Sequence, residues 1–186
     1  FEISASGDML HLASGISVDY EADSQLEVQI QATDPDGLSF YKLDTIAVSD
    51  VNEAPTDIAL SSLTIEENSA GGTVVGNLSA TDPDAADTHS FRVVGGTGSS
   101  LFEINANNEL VVKSSAVIDY ETLANPTVTI LTTDSGGLTF DKTFTVSVTD
   151  VNENTAPTDI TLDSLSVVEN FTGSHVAYIS GNDPDG

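Results

Sequence analysis

The 186-residue sequence has no cysteine, no tryptophan, one methionine and only four basic residues against 30 acidic ones. Without cysteine there is no disulfide framework, thiol nucleophile or zinc–thiolate site. A formal net charge of −26 leaves little to neutralise phosphate, which excludes nucleic acid as a partner and argues equally against an anionic membrane surface. No apolar run approaches the ~18 residues of a membrane span, so no transmembrane segment is expected. No signal-peptide pattern is present, and the chain opens mid-pattern at Phe1-Glu2-Ile3, which implies that a repeat begins before it. Tyr20, Tyr41, Tyr120 and Tyr178 are dispersed rather than clustered into a recognition patch. The hydrophobic fraction of 39% suffices for a core, and the length allows one or two domains. Cations or cationic partners are the natural counterparts of such a chain.

The sequence also repeats itself. Asp19-Tyr20-Glu21 recurs as Asp119-Tyr120-Glu121, and Asp50-Val51-Asn52-Glu53 as Asp150-Val151-Asn152-Glu153, both shifted by 100 residues. Ala54-Pro55-Thr56-Asp57-Ile58 recurs as Ala156-Pro157-Thr158-Asp159-Ile160, Glu67-Asn68 as Glu169-Asn170, Asp82-Pro83-Asp84 as Asp183-Pro184-Asp185, and Phe1-Glu2-Ile3 as Phe102-Glu103-Ile104. Common spacing over six blocks marks a tandem array. Residues 1–55 read as the back half of a first repeat, 56–155 as a complete second repeat and 156–186 as the front part of a third. Pro55 and Pro157 stiffen the boundaries.

Within a repeat the pattern is strand-like. Phe144, Val146 and Val148 alternate with threonine and serine, as do Leu26, Val28, Ile30 and Ala32 with polar neighbours. Gly71-Gly72, Gly95-Gly96, Asn107-Asn108 and Gly136-Gly137 punctuate these runs. No 3.6-residue stripe competes. The expectation is all-β: tandem antiparallel Greek-key sandwiches with about seven strands per repeat. One position conflicts, because Asp44 falls where the second repeat has Phe144. A bulge or shifted register near Lys42 would accommodate it.

Acidic residues concentrate at the repeat edges. Such carboxylates beside a short linker repel one another unless a cation sits between them. Their motifs resemble those of cadherin repeats, in the tandem cadherin-like form found in large bacterial extracellular proteins of the adhesin type. A Glu-Asn near the first strand is matched by Glu67-Asn68 and Glu169-Asn170, and an Asp-x-Glu by Asp19/Glu21 and Asp119/Glu121. The Asp-x-Asp appears as Asp82/Asp84 and Asp183/Asp185, and the late-strand Asp as Asp134 and Asp34. The linker motif Asp-x-Asn-Asp-Asn-x-Pro is matched by Asp50 to Pro55, one residue shorter, and by Asp150 to Pro157, one residue longer.

The resemblance implies Ca2+ between successive domains. At the first junction the ligands would be Asp19, Glu21, Asp50, Asn52 and Glu53 from above and Asp82, Asp84 and Asp134 from below. At the second they would be Glu67, Asp119, Glu121, Asp150, Asn152, Glu153, Asp183 and Asp185. All are oxygen donors, which suits a hard ion taking six to eight oxygens, and no histidine joins them. The implied function is a calcium-rigidified extracellular segment, a stalk or structural element in cell adhesion at the cell surface. Alternatives are a subunit of an extracellular filament or surface layer, or a module binding carbohydrate or a cell-surface protein directly. No enzyme is expected, because the acidic pairs recur at every linker rather than converging on one cleft. His11, His89 and His175 lie in strand-like segments without shared partners and read as structural. Partners are expected end to end: neighbouring repeats, or subunits in which residues 156–186 of one chain complete the sandwich begun by residues 1–55 of the next.

Overall fold

The computed structural model describes all residues except Ala5, Asp8, 153–155, Val168, 170–172, 174–175 and 183–186. Glu153, Asp183, Asp185, Asn170 and His175 therefore lie outside the described residues. Among those described, strands dominate. They are β1 (Glu2–Ile3), β2 (Leu10–His11), β3 (Gln25–Thr33) and β4 (Ser39–Ala47), then β5 (Asp57–Leu60), β6 (Thr64–Glu66), β7 (Val74–Thr81), β8 (Ser90–Gly95), β9 (Phe102–Ile104) and β10 (Glu109–Val112). A four-residue helix, α1 (Tyr120–Leu123), precedes β11 (Thr127–Thr133), β12 (Thr139–Thr145) and β13 (Ser147–Thr149). The last strands are β14 (Asp159–Leu162) and β15 (Ile179–Asn182).

Strands β5 to β13 form a sandwich. One sheet has the order β5-β7-β10-β9, the other β12-β11-β8, and β13 pairs in parallel with β6. There are nine segments rather than about seven, because the first and last strands are each interrupted. The first strand leaves the β7 sheet after Leu60 and joins β13 from Thr64. Gly76 in β7 makes that crossing possible, since a Cβ there would lie 2.8 Å from the backbone nitrogen of Ser62. The last strand breaks at Val146, whose N–H donates to the Pro126 carbonyl at 2.9 Å.

The alternation read from the sequence is the alternation of burial. Phe144, Val146 and Val148 face the core with Val128, Ile130 and Ile65, against Ile58, Leu78, Phe102 and Leu110 of the opposing sheet. The outward threonines pair across strands, Thr129 Oγ1 lying 2.8 Å from Thr143 Oγ1. At each of the four expected turn pairs the second residue has positive φ: Gly72, Gly96, Asn108 and Gly137. Asn68 also has positive φ, which suits the asparagine of the Glu-Asn pair, a residue type that tolerates this region.

Pairing registers follow the sequence period. Ile3 pairs Leu10 as Ile104 pairs Leu110, and Asp159 pairs Asn182 as Asp57 pairs Thr81. Val28 pairs Asp44 as Val128 pairs Phe144. The last equivalence corrects one expectation. The β3–β4 ladder runs unbroken from Gln25↔Ala47 to Thr33↔Ser39, with no bulge or slip at Lys42. Asp44 occupies the phenylalanine position directly, remains 41% exposed and pairs with Lys42 Nζ at 2.8 Å. An ionised carboxylate that keeps contact with water and a cation does not need to distort the ladder.

Candidate metal centre

The segment Asp50–Glu53 leaves β4 and passes over the end of the sandwich that carries the β7–β8 and β11–β12 loops. Carboxylate oxygens of Glu21, Asp50, Glu53 and Asp84 lie within 4.8 Å of one another. The backbone locks this arrangement: Glu53 N–H donates to Asp84 Oδ2 at 2.8 Å, and Asp84 N–H to Asp82 Oδ1 at 3.1 Å. Asn52 Nδ2 donates to Asp134 Oδ2 at 3.0 Å and to the Glu53 carbonyl at 3.1 Å. The Asn52 amide rests on Gly136, where any Cβ would collide with it. Asp82, Asp87 and Asp134 form a second group beneath the first. Asp134 is 6% exposed.

A third group, Glu67, Glu121 and Asp150, lies at the opposite end of the sandwich. Glu67 is 4% exposed, and its carboxylate accepts from Val151 N–H at 2.6 Å and Tyr120 N–H at 3.0 Å. It thereby ties the end of β6 to α1 and to the start of the second linker.

Two of the expected carboxylate ligands, among the described residues, stand outside these groups. Asp19 Oδ1 accepts from the N–H groups of Glu21 and Ala22 at 3.0 and 3.2 Å. Asp119 caps α1 through Thr122 N–H and Thr122 Oγ1, both at 2.8 Å. Asp-Tyr-Glu is thus a turn or N-cap that aims its glutamate, a role its first residue type favours. Asn152 is exposed at the start of the second linker. Two residues were missed. Asp87 joins Asp82 and Asp134, but its counterpart falls past residue 186, so recurrence could not mark it. His89 is not without a partner: its Nε2 donates to Asp82 Oδ2 at 2.7 Å, with side chains only 13% and 3% exposed. The Asp82–His89 spacing places both at the base of one loop, which period-two reading does not register.

Charge crowding shows in the titration of these groups. Desolvation and the charges of Glu21, Asp84, Asp50 and Asp19 raise the Glu53 carboxyl. Backbone hydrogen bonding pulls Glu21 down, but desolvation, Asp50, Asp19 and Asp84 outweigh it and leave it raised. Glu121 is raised in the same way by desolvation and by Glu67, Asp150 and Asp119, against its own backbone bond. Glu67 is lowered by the N–H groups of Val151 and Tyr120, and Asp119 by Thr122. Desolvation pushes Asp134 up, yet Asn52 and the amides of Leu138, Gly137 and Gly136 hold it low. A raised acid stabilises the folded chain below its unfolded value and loses that contribution as pH rises; a lowered acid loses its contribution as pH falls through its folded value. Without divalent cations, the melting temperature is therefore expected to rise as pH falls from neutrality into the ordinary carboxylate range and to drop again below that range. Calorimetric melts of desalted, cation-free protein across that range check this. A steady decline from neutrality would contradict it.

Every donor in the three groups is oxygen, the chemistry of a hard divalent cation rather than of zinc or copper. Residues 61–149 match the family model of the Cadherin domain. The chain carries a cadherin domain. It is 34% identical over 158 residues to Cadherin-related family member 2 of Homo sapiens, covering 81% of this chain and 12% of that protein. It is 34% identical over 203 residues to Cadherin-2A of Xenopus laevis, covering 97% and 22%. The chain thus spans less than a quarter of either relative. The extracellular domain of Protocadherin GammaB4 superposes with a TM-score of 0.64 at 27% identity, over 91% of this chain and 28% of that one. Extracellular cadherin domains 3–6 of Protocadherin Gamma B2 superpose with a TM-score of 0.68 at 24% identity, over 91% and 42%, a likeness of fold. Cadherin domains are adhesion modules and not enzymes, and they bind calcium in general. In this cadherin domain the first two acidic groups lie at one end and the third at the other, with Glu67 at the end of β6 and Asp134 in the β11–β12 turn.

Proposed function

We propose that this chain is a calcium-rigidified segment of a larger extracellular adhesion protein, with cadherin-like units at 1–55, 56–155 and 156–186 joined through ions at the linkers. The supporting observation is the convergence of Glu21, Asp50 and Glu53, from before Pro55, with Asp84 from beyond it. The ligands of the first junction would be Glu21, Asp50, Glu53 and Asp84, with Asp82 and Asp134 below and Asn52 bridging the two groups. Those of the second would include Glu67, Glu121 and Asp150, with Asn152, Glu153, Asp183 and Asp185 as further candidates. Asp19 and Asp119 act as turn and cap residues that orient Glu21 and Glu121.

When bound, calcium supplies the positive charge that lets these carboxylates approach. The chain's own groups do the rest. Asn52 seats the linker against Asp134 and Gly136, and the Glu53 amide fastens it to Asp84. The result is a stiff spacer whose neighbours are further repeats, end to end. Site affinities of ~10⁻⁴–10⁻³ M, usual for extracellular modules, would make stiffness a property of the outside environment.

The test is calcium titration of the whole chain by calorimetry, with small-angle scattering at each end point. Saturable binding, with a narrower distribution of dimensions in calcium, is expected. Asp84→Ala should lose the binding shared across the first linker and keep the scattering profile of the chelated protein. Absence of binding heat in the wild-type chain would sink the proposal.

A further inference from the structure

The loop between β7 and β8 brings a carboxylate into the cadherin domain that the family resemblance does not assign. We infer that Asp87 is a direct ligand of the cation at Asp82 and Asp134, so that this centre is a three-carboxylate site; the inference rests on the calcium reading above.

Asp87 Oδ1 accepts from Ser135 Oγ at 2.7 Å. Asp87 Oδ2 is fully enclosed and has no hydrogen-bond partner. Its neighbours differ in this respect. Asp82 has both oxygens engaged, by Asp84 N–H at 3.1 Å and by His89 Nε2 at 2.7 Å. Asp134 likewise accepts from Leu138 N–H at 2.7 Å and from Asn52 Nδ2 at 3.0 Å. Each of these three aspartates nevertheless offers an oxygen within 4.8 Å of the others. Among the described residues no lysine or arginine ion pair reaches them, since Lys42 and Lys142 pair with Asp44 and Asp57.

A carboxylate oxygen enclosed beside two other carboxylates, without a donor, is strongly unfavourable unless a cation meets it. Ser135 fixes one oxygen and leaves the other free to coordinate, the monodentate mode open to calcium. The backbone at Asp87 is held in a turn, its N–H donating to the Asp84 carbonyl at 2.9 Å. The site thereby gains a third negative ligand supplied wholly within residues 82–134, so it fills without help from the linker carboxylates.

The experiment is calcium titration by calorimetry of the full 186-residue chain, wild type against Asp87→Asn and Ser135→Ala, with melts in chelator. Asp87→Asn is expected to weaken one class of site roughly tenfold or more and to leave the remaining sites unchanged, because ligand charge sets calcium affinity. Ser135→Ala should weaken the same class by a smaller factor. In chelator, Asp87→Asn should melt higher than wild type, since it removes one of three repelling charges. If wild type binds calcium and the Asp87→Asn isotherm superimposes on it, this assignment alone is overturned. A variant with that unchanged isotherm and a lower melting temperature in chelator would mark Asp87 as a structural bond to Ser135. If wild type takes up no calcium, this inference and the calcium reading fall together.

Discussion

Chelation is expected to lower the melting temperature of the cadherin domain by about 10–20 °C relative to calcium at a hundredfold over Kd. One site that binds only the folded chain contributes about 2.7 kcal/mol at that concentration. In a domain of roughly 100 residues, each kcal/mol moves Tm by about 4–8 °C. The structural basis lies in the groups Glu21–Asp50–Glu53–Asp84 and Asp82–Asp87–Asp134, each crowded within 4.8 Å, with the carboxyls of Glu21 and Glu53 raised in part by their neighbours' charges. Removing the cation restores that repulsion, whereas the hydrophobic core of β5 to β13 is unaffected. Scanning calorimetry in chelator and in millimolar calcium measures the difference. Superimposable melts would leave the acidic groups as surface charge only.

The largest effect of a single substitution is expected at Phe102, where Phe102→Ala should cost about 3–5 kcal/mol. Phe102 lies in β9 with no exposed surface, among Ile58, Leu110 and Val112. Its ring also packs over Gly98, where a Cβ would come within 3.2 Å of it. A tight site of this kind cannot collapse to fill the void. Against a total stability of about 5–15 kcal/mol, the loss is a large share. Phe102 belongs to the core and not to any of the acidic groups, so its effect should add to that of calcium within about 0.5 kcal/mol. Urea unfolding of wild type and variant, each with and without calcium, forms the cycle. A cost below about 1 kcal/mol, or strong coupling to calcium, would show that the core and the acidic ends are not independent.

Much of the architecture is legible in the residues taken in order. Strand alternation is local, and burial of Phe144, Val146 and Val148 follows from a period of two. Turn chemistry is local as well, which is why Gly72, Gly96, Asn108 and Gly137 take positive φ where the sequence placed its breaks. Repetition exposed Glu67, Glu121, Asp84 and Asp150, because each recurs with its neighbours at one spacing. Other features depend on which surfaces meet. Asp19 and Asp119 carry the same motif as their glutamates, yet in space they bond to their own turns. Asp44 reads as a disruption, but an edge exposed to water and a lysine two residues away hold it in register. The strand exchange across Gly76 comes from close backbone approach, which no alternation records.

Residue order alone carries the all-β class, the positions of the turns, and a set of carboxylates that recur at one spacing. These follow from local propensity and from repetition, both of which act between residues near in sequence or at a constant spacing. Packing settles which side chains meet: Asp87 with Asp134 across 47 residues through Ser135, His89 beneath Asp82, and Asn52 seated on Gly136. The physical reason is that coordination and desolvation depend on distance through space. That distance is set when two sheets pack face to face and bring separate loops to one end of the sandwich.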